Sequence, residues 1–213
     1  LIGWARNRVD GSVELEAQGV AAALNTLQQH LSDDNLYLLP DYHQRISVLR
    51  RLQYIDANKT VQIKGRVACE INTSEDLLAT EMLFENVLTD LEPEEAIAIL
   101  SAFIFQEKDA SEPALTETLV ASKERLVKLA HGIATVQREE GLDVSPQEYV
   151  KLLNFGLVEV VYAWARGTSF QEICQLTNVL EGTIVRSIMR LEEFSREIRN
   201  ASRVIGDPAL FEQ

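Results

Sequence analysis

The strongest constraint on this chain lies near its C-terminal end, in EGTIVRSIMRLEEFSREIRNASRVIG. At ~100° per residue, Ile184, Ile188, Leu191, Phe194, Ile198 and Ala201 fall on one side of a helix. The spacing predicts a helix over about 181–204. One so long, apolar along a single stripe, must lie against other elements for most of its length. Arg186, Arg190, Glu193 and Glu197 share a second face, and Glu192, Arg196, Arg199 and Arg203 a third. Just upstream, Ser169 is placed to cap a short helix through Leu176, and residues 177–180 form the turn between the two.

The rest of the sequence is punctuated in the same way. Val13, Leu15, Val20, Leu24, Leu27 and Leu31 predict one helix over about 12–31, within a segment 1–35 that ends at Asp33-Asp34-Asn35. In segment 36–72, Tyr42, Ile46, Leu49 and Leu52 mark a helix. TVQIKGRVACEI follows, and its β-branched residues on either side of Gly65 predict two short strands over 60–63 and 66–71. Segment 73–213 reads as a helical bundle. A helix capped by Ser74 carries Leu77, Leu78, Met82, Leu83 and Val87. Pro93 with Glu94 and Glu95 opens the next, and Gly141 and Gly167 close two more. The run from Leu157 to Trp164 is apolar almost all round, which places Tyr162 and Trp164 in the core. The fold class is mainly α: a bundle preceded by a helix and a small β element.

Composition narrows the function. Against 20 Lys and Arg stand 33 Asp and Glu, a net charge of -13. Such a chain has no general attraction for phosphate, so any contact with nucleic acid must come from a local basic stripe. Arginine concentrates on the terminal helix. No apolar run approaches the ~20 residues of a membrane span, and the first residues do not read as a secretory signal. Cys69 and Cys174 are too few for a disulfide framework or a four-cysteine zinc site; both read as small core residues in a reducing compartment. There is no GxxxxGK[ST] loop, GxSxG elbow or HExxH pair. His30, His43 and His131 are scattered, and the Glu-rich helix starts match the helix dipole. No catalytic or metal-binding residue is assigned.

Four blocks in order, GRVACEI (65–71), EPEEAIAILSAFIFQ (92–106), VVYAWARGTSFQEI (160–173) and EGTIVRSIMRLEE (181–193), resemble the DSHCT domain of superkiller-type DExH-box RNA helicases. The resemblance runs from Leu38 onward. LLPDYHQRISVLRRLQYID and NFGLVEVVYAWARG are more similar to the cytoplasmic superkiller helicase than to its nuclear relative.

That resemblance implies a C-terminal accessory region of an ATP-dependent 3′-to-5′ RNA helicase that feeds RNA to the exosome in cytoplasmic mRNA decay. It implies that the chain lacks the motor, which binds ATP and Mg²⁺, and stops before the family's usual final helix. By similarity, segment 1–35 is a returning arch stalk, 36–72 the end of a winged helix, and 73–213 the bundle with a ratchet-like helix along the RNA channel. Arg190 and Glu193 match positions that face RNA in the family, and Arg186 lies one turn before. The implied partners are single-stranded RNA, the motor domains, the tetratricopeptide-repeat and WD-repeat subunits of the superkiller complex, and the exosome; no membrane is implied. Guanidinium groups pair with phosphates or stack on bases without reading sequence. Interleaved Glu193 and Glu197 are expected to orient those arginines and keep the grip reversible. Without the resemblance, the same residues make an ordinary i,i+4 ladder on an exposed helix. Two other readings stay open. SFQEICQLTNVLEGTIVRSIMRL has the layout of a DNA-binding helix-turn-helix, and the acidic bundle could be a protein–protein interaction module.

Overall fold

The structure is a computed structural model that describes residues 38–107 and 109–206, together with Leu24. The chain divides into two compact units, Leu1–Gln44 and Arg45–Gln213. In the first, Leu24 is helical and exposed; the rest of the helix expected over 12–31 lies outside the described residues. Helix α1 (Leu39–Arg51) begins in this unit, where the rings of Tyr42 and His43 meet edge to face at 5.4 Å.

The second unit is helical throughout, with no strand among the described residues. The end of α1 is fixed by Arg51, whose guanidinium reaches Glu139 and, at 3.1 Å, Glu140. The chain then turns through Gln53 and Lys59, both left-handed (φ 65° and 64°). Asp56 Oδ1 holds this turn by accepting the Asn58 and Thr60 N–H groups, each at 2.8 Å.

Here the expected strands are overturned. Residues 60–63 contribute only an isolated antiparallel bridge, Ile55 to Val61. The expected second strand is a helix, α2 (Ile63–Ala68). The small β element that a winged-helix remnant over 36–72 calls for is therefore absent among the described residues. The cause is tertiary. Val67 in the helix and Ile71, three residues past its end, both enter the core, and burial outweighs the modest β preference of branched residues. Gly65 makes the approach possible: a Cβ there would stand 2.6 Å from the Tyr54 carbonyl oxygen and 2.7 Å from Val61 Cγ1. The glycine that reads as a strand break is a helix–backbone contact point.

Helix α3 (Asp76–Phe84) is the most deeply buried element, with Leu78, Ala79, Thr80, Glu81, Met82 and Leu83 all inside. Its N-cap is Glu75, not Ser74, whose hydroxyl instead donates to the Phe103 carbonyl (3.3 Å). Buried Glu81 receives Lys64 Nζ on both oxygens, at 2.9 and 2.8 Å. Helix α4 (Pro93–Leu100) opens with Pro93 and a Glu92/Glu95 capping box, then tightens into a 3₁₀ turn (Ser101–Phe103). Helix α5 (Glu117–Glu139), capped by Thr116, ends before Gly141 at φ 93°. Short α6 (Pro146–Val150) packs back on α5, and a 3₁₀ turn (Phe155–Leu157) leads into α7 (Val158–Ala165), the main partner of α4.

Val158, Val160 and Val161 of α7 are buried as expected, but Trp164 is 41% exposed. It stands in the last turn, at the rim of the core. Tyr162 is half-buried, with the Arg166 guanidinium 5.6 Å from its ring. Cys69, just past α2, is exposed, so only half-buried Cys174 fits the core role expected of both thiols. Gly167 (φ 88°) ends α7. A Ser169/Glu172 capping box starts α8 (Phe170–Ile173), a single turn that stops three residues short of the expected Leu176.

Helix α9 (Glu181–Ile205) closes the unit and ends on left-handed Gly206. It packs on α2, α4 and the 3₁₀ turn after α4. Ile184, Leu191, Phe194, Ile198 and Ala201 are buried and Ile188 is half-buried, as the periodicity predicts. Phe194 lies against Phe103 with ring centroids 5.4 Å apart.

Candidate functional site

Burying the apolar stripe of α9 leaves its opposite side in solvent, and that side carries Arg186, Arg190 and Glu193 together. Arg190 is exposed and has no hydrogen-bond or ion-pair partner among the described residues. The same is true of Glu193, three residues along and on the same side. Arg186 is exposed too, but its Nη2 donates to Thr183 Oγ1 at 2.8 Å, one turn back. Beside this row stand two apolar side chains that the sequence reading passed over, Val185 (44% exposed) and Met189 (68% exposed). The helical wheel held the signal for both, since neither position belongs to the buried stripe.

The ladder expected along this face does not form. Among the described residues no carboxylate of α9 pairs with Arg186 or Arg190. Glu197, expected to orient the arginines, is used elsewhere. Its Oε2 accepts the N–H groups of Asn72 and Thr73, both at 3.0 Å, and its Oε1 accepts Thr73 Oγ1 at 2.8 Å. It caps the backbone between α2 and α3 and fixes α9 there. An i,i+4 ion pair on α9 joins Glu192 and Arg196 on the other flank. One flank therefore neutralises its cation internally, while the Arg186–Arg190 flank leaves its cations without a carboxylate of the same helix.

The N-terminal end of α9 is braced by the loop that follows the 3₁₀ turn Ser101–Phe103. Thr183 Oγ1 donates to Glu107 Oε1 (2.8 Å). Asn178, in the α8–α9 turn, donates to the Asp109 carbonyl (2.6 Å) and accepts the Ser111 N–H (2.8 Å). Asn154 holds the same loop from the other side by donating to the Glu107 carbonyl (2.5 Å). Gly182, in the first turn of α9, meets nothing nearer than Arg186 Nη1, 3.7 Å from an added Cβ.

Electrostatic perturbations lie away from this face. Burial pushes the Glu75 carboxyl up, partly offset by the Tyr149 hydroxyl that donates to it at 2.9 Å. Burial also pushes the Tyr54 and Tyr149 phenols far up. Glu172 is held low by the Ser169 hydroxyl and N–H in its capping box. No group of three or more His, Cys, Asp or Glu side chains among the described residues is arranged to hold a metal ion. No helix among them is long and apolar enough to cross a membrane. The helix-turn-helix layout is weakened by α8, whose four residues are too short for the first helix of such a unit, which spans the DNA backbone.

A family model described as the DSHCT (NUC185) domain matches residues 58–213. The chain is 47% identical to an Arabidopsis thaliana protein named DExH-box ATP-dependent RNA helicase DExH11, over 96% of this chain and 16% of that protein. It is 45% identical to Homo sapiens Superkiller complex protein 2, over 92% of this chain and 16% of the relative. It is 41% identical to Homo sapiens Exosome RNA helicase MTR4, over 78% of this chain and again 16% of the relative. The chain thus spans about a sixth of the length of these relatives.

Proposed function

The chain belongs to the DSHCT domain family of DExH-box RNA helicases, and on that premise we propose that it is the C-terminal accessory region of an ATP-dependent 3′-to-5′ helicase. It presents the solvent side of α9 to single-stranded RNA on its way to the exosome for mRNA decay. The observation that carries this reading is Arg190: an exposed guanidinium with no partner among the described residues, in a chain whose acids outnumber its bases by 33 to 20. A cation left unpaired in so acidic a protein is available to an anion from outside, and the neighbouring Arg186 extends it along the helix. Val185 and Met189 beside them suit a ligand with apolar bases as well as phosphates.

On this reading Arg190 and Arg186 contact the phosphate backbone. Glu193, one turn from Arg190, limits the attraction so that the strand can move. ATP and Mg²⁺ belong to the motor segments outside this chain and supply the energy of translocation. The partners are those motor domains, the tetratricopeptide-repeat and WD-repeat proteins of a superkiller complex, and the exosome. Within the family we favour the superkiller type, and with it a cytoplasmic setting; the match to Superkiller complex protein 2 covers 92% of the chain and those to the MTR4 relatives 78–81%.

The test is Arg190→Ala in the complete helicase. Unwinding of a 3′-tailed duplex is expected to fall about ten-fold, the worth of one charge-assisted contact, while RNA-stimulated ATP hydrolysis keeps most of its rate. Equal loss of both activities, or loss of neither, would remove α9 from the RNA path.

A further inference from the structure

Sequence spacing places the acid that orients the arginine row on α9 itself. The structure supplies it from elsewhere. Glu107 lies 76 residues before Thr183, in the loop that follows the 3₁₀ turn after α4, and its Oε1 accepts the Thr183 hydroxyl proton at 2.8 Å. With that proton committed, the hydroxyl's lone pairs are left to accept, and Arg186 Nη2 donates to them at 2.8 Å. Thr183 is buried, so its oxygen has little access to water and its partners are fixed by the protein.

Glu107 is itself held. Asn154 fixes its carbonyl, and Asn178 fixes the loop on both sides of Ala110, through the Asp109 carbonyl and the Ser111 N–H. A loop pinned from two other elements thus presents one carboxylate to the first turn of α9.

We propose that Glu107 is a positioning residue: acting through Thr183, it aims the Arg186 guanidinium along the exposed side of α9 toward RNA. Arg186 spends one N–H on Thr183 and keeps its others for a phosphate. A guanidinium held at one corner loses less side-chain freedom on binding than one that swings. This inference rests on the RNA-facing reading of α9.

The experiment is a double-mutant cycle on RNA affinity in the complete helicase, measured with a single-stranded oligonucleotide at fixed salt. Glu107→Ala is expected to weaken binding about five-fold, the effect of one lost hydrogen bond. Thr183→Val should do the same, and Glu107→Gln, which can still accept the hydroxyl proton, should bind like the parent. In an Arg186→Ala background, Glu107→Ala should cost nothing more, because the group it aims is gone. The proposal is overturned if Glu107→Ala weakens binding equally with and without Arg186, for then the loop acts on the fold in general. It is also overturned if Arg190→Ala weakens binding but Arg186→Ala does not, which leaves the RNA-facing reading standing. If neither arginine matters, both fall. Thermal unfolding of Glu107→Ala within about 3 °C of the parent would exclude general destabilisation as the cause of the weakened binding.

Discussion

Helices α9 and α2 lie against each other and are held by opposite means. Over its 25 residues α9 repeats the same device, an apolar side chain every three or four positions, so its placement is shared among Ile184, Leu191, Phe194, Ile198 and Ala201. Helix α2 has six residues and one fully buried side chain, Val67; its position depends on Gly65 lying against the Tyr54 backbone. A long helix tolerates one imperfect contact, whereas a short one is a single contact. The comparison also explains the solvent side of α9. With burial secured along one stripe and Glu197 fixing the far half to the α2–α3 connection, the remaining surface is free to carry unpaired charge.

The largest effect should come from the shared face. Phe194→Ala removes a fully buried ring from its contact with Phe103 and should cost about 3–5 kcal/mol in denaturant unfolding. Gly65→Ala probes the single-contact helix. The new methyl meets a backbone oxygen that cannot step aside, so a loss of about 2–3 kcal/mol is expected despite the better helix propensity of alanine. A neutral or stabilising result would show that α2 can slide on α9. Glu197→Ala should cost about 1–3 kcal/mol, because two backbone N–H groups lose their acceptor.

A smaller, pH-dependent effect is expected at Glu75. Its carboxyl is raised in the folded state by burial, so the folded protein holds the proton more tightly than the unfolded chain. Stability from this group is therefore greatest at acid pH and falls as pH rises from the unfolded value of ~4.3 through the folded one. Glu75→Gln should raise the melting temperature at pH 7, with the gain shrinking below about pH 4.5. A gain that grew on acidification would reverse the assignment. The smallest effect on folding belongs to Arg190→Ala, within about 0.5 kcal/mol, since nothing in the described structure holds that side chain. A larger loss would mean that α9 uses the residue for its own stability.

How far each feature could be read follows from its range in sequence. The start and apolar face of α9, Pro93 at the start of α4, the Ser169 cap, and the glycines closing α5 and α7 depend on residues within a turn or two of one another. Arg186, Arg190 and Glu193 were placed on one exposed side by the same arithmetic. The strands expected over 60–63 and 66–71 failed because six residues carry too little periodicity to separate helix from strand. Cys69 was put in the core by residue type and Trp164 by an all-round apolar run, and neither fixes a position relative to a core boundary. Glu197 and Glu107 were out of reach for another reason: their partners are 124 and 76 residues away.

What the sequence determined by itself is the helical class, the family and the amphipathic division of α9, because each rests on patterns repeated along the chain. Only the tertiary structure decided that 63–68 is a helix, which carboxylates are consumed internally, and that Arg190 has no partner among the described residues. Those outcomes turn on single contacts between distant segments, where a displacement of an ångström decides whether a hydrogen bond exists.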